Sequence, residues 1–218
     1  MHIMHTERYP DYSAFCRTDS YQQWLTGWPQ PASSGVDLWQ DSGAEQRTND
    51  GAAIQTPRQF ALTRLATRVP FYLLDSLEIG ELGCVDIGCG INWFKGFYPS
   101  IWGVDPHNEP YRDELLTPEW YIQNWGRWDR AFTCNAMHFC DQDTIAHNVA
   151  KVRGILRPGG TAVITLNRAR IQDRTQHYSE DRLREDLETT PGLTRMVWMD
   201  TPHDAHMDGN VWLWIDAE

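Results

Sequence analysis

The stretch Gly83-Cys84-Val85-Asp86-Ile87-Gly88-Cys89-Gly90 decides how the rest of the chain is read. A short apolar run that ends in an acid and two closely spaced glycines reads as a buried strand stopping at a tight turn. Gly88 and Gly90 permit positive φ and leave bare main chain where a ligand must approach. A second such run, Ile101-Trp102-Gly103-Val104-Asp105, ends in another acid. A carboxylate at the carboxyl end of that strand can accept hydrogen bonds from a ribose diol, and ligands of open α/β sheets sit at this edge.

Working outward, residues 128–140 contain a third strand. Residues 143–156 read as a helix with Ile145, Val149, Val152 and Leu156 along one face. Residues 157–160, Arg-Pro-Gly-Gly, break it, and residues 161–167 form a β-branched strand. Ser179 caps a charged helix, and residues 193–200 and 210–217 close the chain as two strands. Upstream, Thr56-Pro57 opens a helix that Pro70 ends or kinks, and a second short helix runs from there toward Gly80. Strands alternating with helices predict a doubly wound, mostly parallel α/β sheet, and the two closing strands predict an antiparallel last strand.

The ligand class follows from what the turn lacks. A dinucleotide site would show G-x-G-x-x-G, but Trp93 stands in place of the third glycine. There is no G-x-x-x-x-G-K-[ST] phosphate loop and no Tyr-x-x-x-Lys pair. The pattern suits a nucleoside without phosphates.

With these pieces in place, the sequence resembles the class I, Rossmann-like S-adenosylmethionine-dependent methyltransferases. The resemblance is carried by VDIGCG at the first strand, GVDP at the second, WDRAFTCNAMHF at the fourth and LRPGG before the fifth, spanning about residues 80–217. It implies S-adenosylmethionine as cofactor, with Asp86, Gly88 and Gly90 around its methionine portion. It implies Asp105 on the ribose hydroxyls, Asp113 or Glu114 on the adenine, and Asn135 and Ala136 beside the methyl group. Two departures stand out. Asn92 occupies the place of that family's third glycine, and Asn tolerates left-handed backbone. The span between Asp105 and the fourth strand is too short for a full helix, strand and helix, so the fold is abbreviated there. Residues 117–125 read as the following helix, with Thr117 as cap. Trp120, Tyr121 and Trp125 are candidates to wall the adenine, with core packing the preferred reading.

A methyl donor needs an aligned nucleophile and, for some acceptors, a base. His138, just beyond Asn135, is the candidate general base. His107 is read as a loop residue near the ribose. His203, Asp204, His206 and Asp208 are read as a solvated cluster, and no metal site is assigned.

Composition narrows the partners. The chain has 218 residues, 19 basic and 30 acidic, for a net charge of −11. That balance disfavours a nucleic-acid partner, although Arg58, Arg64, Arg68, Arg168 and Arg170 could form a local patch. No apolar run approaches the roughly 20 residues of a membrane span. The start shows no secretory pattern, and Cys16, Cys84, Cys89, Cys134 and Cys140 have neither zinc nor disulfide spacing. A cytoplasmic enzyme is expected. Residues 1–55 are turn-rich, with scattered aromatics, and are expected to form a loop-rich extension that lies over the site as a lid. Residues 56–218 would form the methyltransferase domain. The leading function is methyl transfer to a small molecule. The alternatives are a nucleic-acid methyltransferase and a non-catalytic module that keeps the fold for binding or assembly.

Overall fold

Alternating strand and helix segments with apolar strand interiors must bury both faces of a sheet. The computed structural model describes residues 5–27, 69–79, 82–90, 92–96, 98–136, 145–168, 179–200 and 211–218. The strands are β1 (His5–Tyr9), β2 (Cys84–Ile87), β3 (Ile101–Asp105), β4 (Glu114–Leu115), β5 (Trp128–Cys134), β6 (Leu156–Leu166), β7 (Leu193–Met199) and β8 (Val211–Asp216). They form one sheet in the order β1-β7-β8-β6-β5-β2-β3-β4. Every described pairing is parallel except those of β8 with β6 and β7. The expected doubly wound sheet with an antiparallel last strand is therefore present. After β2 the chain builds toward one edge through β3 and β4, and after β5 it builds toward the other. The order reverses between β2 and β5, which makes their carboxyl ends the switch point of the sheet.

Alternation along the strands sorts the core into two layers. Val85, Ile87, Val104, Leu213 and Ile215 face helices α4 (Pro118–Gln123), α5 (Ile145–Ile155) and α6 (Glu180–Glu188). Cys84, Ile101, Phe132, Val163 and Trp212 face α1 (Tyr12–Cys16), α2 (Asp19–Gly27) and α3 (Val69–Asp75). Thr117 and Ser179 cap α4 and α6 as their sequence positions predict, accepting from Trp120 N–H at 3.2 Å and Arg182 N–H at 3.2 Å. Between β3 and β4 the chain makes only turns, so the expected abbreviation is real.

Several expectations are corrected. Leu156 is a strand residue, because β6 starts as soon as α5 ends, and Arg157–Gly160 bulge out between the pairs Trp128–Leu156 and Arg130–Thr161. The second short helix expected from Pro70 is present as α3, with Pro70 in its first turn, where its missing N–H costs nothing; whether Pro70 ends the helix from Thr56 lies outside the described residues. The Thr56 cap lies outside the described residues. Residues 5–27 are regular structure built into the edge and one face of the sheet. β1 pairs with β7 from His5–Arg195 to Tyr9–Met199, and Asp11 caps α1 through Ala14 N–H at 2.7 Å. The reason is aromatic burial. Phe15 lies edge-on to Trp212 at 4.5 Å, with Tyr9, Tyr21 and Tyr72 around it at 5.5–5.7 Å. Trp24 donates to Asp75 at 2.7 Å. The rest of the expected lid lies outside the described residues.

Phe15→Ala empties the centre of this aromatic cluster. It should cost about 3–5 kcal/mol, read by urea unfolding. A loss below about 1 kcal/mol would mean that the first 27 residues are not part of the cooperative fold.

Candidate nucleoside site at the carboxyl edge

At the switch point the chain leaves β2 and turns at once. The N–H groups of Gly88 and Cys89 both donate to the Val104 carbonyl, at 2.8 and 3.1 Å, and Gly90 N–H donates to Asp105 Oδ2 at 2.9 Å. Gly88 and Gly90 hold φ of +72° and +57°. A Cβ on Gly88 would lie 2.3 Å from the Ala136 Cβ, so the ends of β2 and β5 meet there. A Cβ on Gly90 would meet nothing within 4 Å among the described residues, so this side of the turn is open. Asn92, where the resemblance calls for a third glycine, takes φ of +54°.

The acids around this turn differ sharply. Asp86 is 1% exposed, and among the described residues neither of its oxygens has a hydrogen-bond partner. Burial, reinforced by the neighbouring Asp105 charge, pushes its carboxyl up to about 8. Asp105 is bonded at both oxygens from within the chain. Its Oδ1 accepts from His107 N–H at 2.8 Å, Asn108 N–H at 3.0 Å and the Asn108 amide at 2.9 Å, and its Oδ2 takes Gly90. A ribose diol would have to share Oδ2 or displace Asn108. Asp113 is likewise occupied: Oδ2 accepts from Gly103 N–H at 2.8 Å and the Asn92 amide at 3.2 Å, and Oδ1 pairs with Lys95. Burial raises the Asp113 carboxyl, but the Lys95 ammonium and these donors outweigh it and hold it below the usual range. The side chain of Asn92 lies over Gly103, where a Cβ would come within 2.5 Å of it, and its amide also donates to Tyr111 O at 2.9 Å. These partners of Asp113 turn it toward the β3–β4 connection as a brace.

The structure brings Asp86, Gly88, Gly90, Asp105 and Ala136 together at one edge. Asn135, with φ of +54°, is tied to β6: its N–H donates to Thr165 O at 3.1 Å and Oγ1 at 3.0 Å, and its Oδ1 accepts from Thr165 at 3.2 Å. His107 is exposed on the turn after β3. Trp120 and Tyr121 are core residues, and Trp125 is 66% exposed against Gly154, so none of the three lines this edge. Arg168 is buried, bonded to Glu180 Oε2 at 2.5 Å and Asp200 O at 2.6 Å over the Trp198 ring, and offers no surface charge to a phosphate backbone. His138, the cluster at 203–208, and Arg58, Arg64, Arg68 and Arg170 lie outside the described residues. Among the described residues, no group of three His, Cys, Asp or Glu could hold a metal ion, and no helix is long and apolar enough to cross a membrane. Sequence reasoning missed Asn108 and Lys95. The Asp-x-x-Asn spacing at 105–108 is a turn signal that could have pointed to the first.

No family model matches the sequence, and no curated protein matches it. Solved structures do match the fold. One is a SAM-dependent methyltransferase from Thermotoga maritima, 14% identical, with 74% of this chain and 93% of that chain covered and a TM-score of 0.48. A TehB-like SAM-dependent methyltransferase from Corynebacterium glutamicum is 15% identical, with 74% and 98% covered and a TM-score of 0.48. A SAM-dependent methyltransferase from Aquifex aeolicus is 13% identical, with 74% and 97% covered and a TM-score of 0.44.

The state of Asp86 has a measurable signature. Its folded value, about 8, lies above its ordinary 3.8, so the folded chain keeps a proton that the unfolded chain releases. Stability should therefore fall as pH rises from about 4 to about 8. Asp86→Asn, neutral at every pH, should match the parent near pH 4 and be clearly the more stable of the two at pH 8.5. Chemical unfolding across that range checks this, and parallel pH profiles for the two proteins would contradict it.

Proposed function

We propose that this chain is an S-adenosylmethionine-dependent methyltransferase acting on a small molecule. The observation that carries this is the buried, unpartnered Asp86 beside a turn of two left-handed glycines at the switch point. A buried acid without a partner is costly, and a bound group that donates to it or carries positive charge relieves that cost. S-Adenosylmethionine has such a group in its amino-acid arm, and it has no phosphate that would need a third glycine.

In this reading Asp86, Gly88 and Gly90 hold the methionine portion, and the Oδ2 edge of Asp105 meets the ribose. When bound, the cofactor supplies an activated methyl group to a nucleophile placed in line with it. Asn135 and Ala136 form the floor at the methyl end, with Asn135 fixed by Thr165. His138 would take the proton of an acceptor that must lose one. Asp113 does not read the adenine, because its oxygens are spent on Gly103, Asn92 and Lys95. A nucleic-acid acceptor is disfavoured by the net charge of −11 and by the internal engagement of Arg168. One observation favours a second reading, a binding module without catalysis: Asp105 Oδ1 already takes three donors of its own chain and Oδ2 one, which leaves little room for a ribose diol.

Calorimetry separates binding from its absence. S-Adenosylmethionine and S-adenosylhomocysteine should bind the parent, and Gly90→Asn, a side chain that tolerates positive φ and would enter the open side of the turn, should weaken binding by at least tenfold while the fold is retained by circular dichroism. No heat with either ligand at millimolar concentration would sink the enzyme reading. A methyl-transfer screen over metabolites then separates enzyme from module. On any acceptor found, His138→Ala should cost about 10²–10⁴-fold in kcat with cofactor affinity unchanged. A loss below about threefold would remove His138 from the chemistry.

A further inference from the structure

Ile122 and Trp125, three positions apart at the close of α4, are 75% and 66% exposed. Trp125 is nonetheless held in place. The turn that carries it is pinned to α5 by Gly126 N–H donating to Gly154 O at 2.9 Å and Arg127 N–H donating to Ile155 O at 2.9 Å. Its ring lies on Gly154, where a Cβ would come within 2.1 Å of it, so part of the ring rests on bare helix backbone and the rest faces outward. A fixed, exposed Trp is the kind of side chain around which interfaces concentrate their binding energy. The pair stands where the chain enters β5 and β6, at the opposite end of the sheet from the candidate nucleoside site.

The charges around the pair say what fits it. Arg127, exposed, and Lys151, with its ammonium 6.0 Å from the Tyr121 ring, flank the apolar seam between α4 and α5. Glu119 stands at the other end of α4. α5 packs between α4 and α6. On α6, Leu183 and Leu187 are buried, while Asp181, Glu185 and Glu188 are exposed at i, i+4 and i+7, which makes one acidic stripe. One face of the sheet thus carries a basic, apolar seam on one side of α5 and an acidic helix on the other. A two-fold rotation beside α5 sets the seam of each copy against the acidic helix of the other, so the face is complementary to itself.

We propose that this face joins two copies of the chain in a two-fold homodimer, with Ile122 and Trp125 of each copy covered by the other and the Arg127–Lys151 flank of each set against the α6 stripe of the other. The dimer leaves the carboxyl edge of both sheets open. It does not rest on the methyl-donor reading and stands or falls without it.

Analytical ultracentrifugation of the full chain, at protein concentrations up to about 100 µM, reads the assembly. The parent should sediment as a dimer. Ile122→Asp and Trp125→Ala, each checked for fold by circular dichroism, should weaken the dimer by about tenfold or more. Reversing the flank, Arg127→Glu with Lys151→Glu, should abolish self-association, because like charges then meet at both contacts. Reversing the stripe, Glu185→Lys with Glu188→Lys, should do the same. An equimolar mixture of the two reversed proteins should dimerise again, because the mixed pair restores opposite charges at both contacts. A parent that stays monomeric at about 100 µM would overturn the proposal, whatever other protein is later found on the patch. A dimer indifferent to Ile122→Asp, or a mixture that stays monomeric, would overturn it as well. The state of the parent and the highly exposed position 122 decide these outcomes, so the test does not depend on the charge-reversed proteins folding.

Discussion

The candidate site depends on how the end of β2 is pinned to the end of β3. Three consecutive N–H groups, from Gly88, Cys89 and Gly90, leave the strand ladder together, and all find acceptors on two residues, Val104 and Asp105. Left unmet in a buried turn, each would cost about 1–3 kcal/mol. Met as they are, they bend the chain sharply. They also fix the glycines in left-handed backbone and leave one side of Gly90 open.

That pinning sets the electrostatics. Asp105 must be an acceptor to hold the turn, and four donors make its charge tolerable. A second charge beside it is then expensive, so Asp86, with no donor of its own, stays protonated. Burial first, and the neighbouring Asp105 second, push the Asp86 carboxyl up, while the Asp105 oxygens are met by donors of their own chain. Asp113 removes the one lysine near the turn from this competition by pairing with it. The site thus presents a neutral acid and a satisfied anion where the bare sequence shows three equivalent aspartates.

Much of this was legible beforehand. The buried strands, the caps at Thr117 and Ser179, the antiparallel close and the turn at Gly88–Gly90 all follow from local pattern, and local pattern is what one sequence contains. The partners of each acid were not legible. Asp113 meets Asn92 across 21 positions and Gly103 across 10, and no periodicity encodes such proximity. β1 was missed for a different reason. His5–Tyr9 is polar and half exposed, and it is a strand only because β7 offers an open edge beside it. The aromatics scattered through the first segment were legible as such, but not their destination: Phe15 packs on Trp212, almost two hundred residues away in sequence.

Asn92 and the short β3–β4 connection form one joined feature. β4 is only two residues long and pairs with Val104 and Asp105, so the Gly103 N–H finds its acceptor in a side chain. Asp113 supplies that acceptor from the shortened connection. Asn92 fills the space over Gly103 with an amide that binds the same carboxylate and the Tyr111 carbonyl. A third glycine would keep the left-handed turn but leave this cavity empty and the connection untied. Asn is among the few side chains that can hold positive φ and also reach across. The left-handed turn at Asn92 and the short connection after β3 are therefore tied together through one carboxylate.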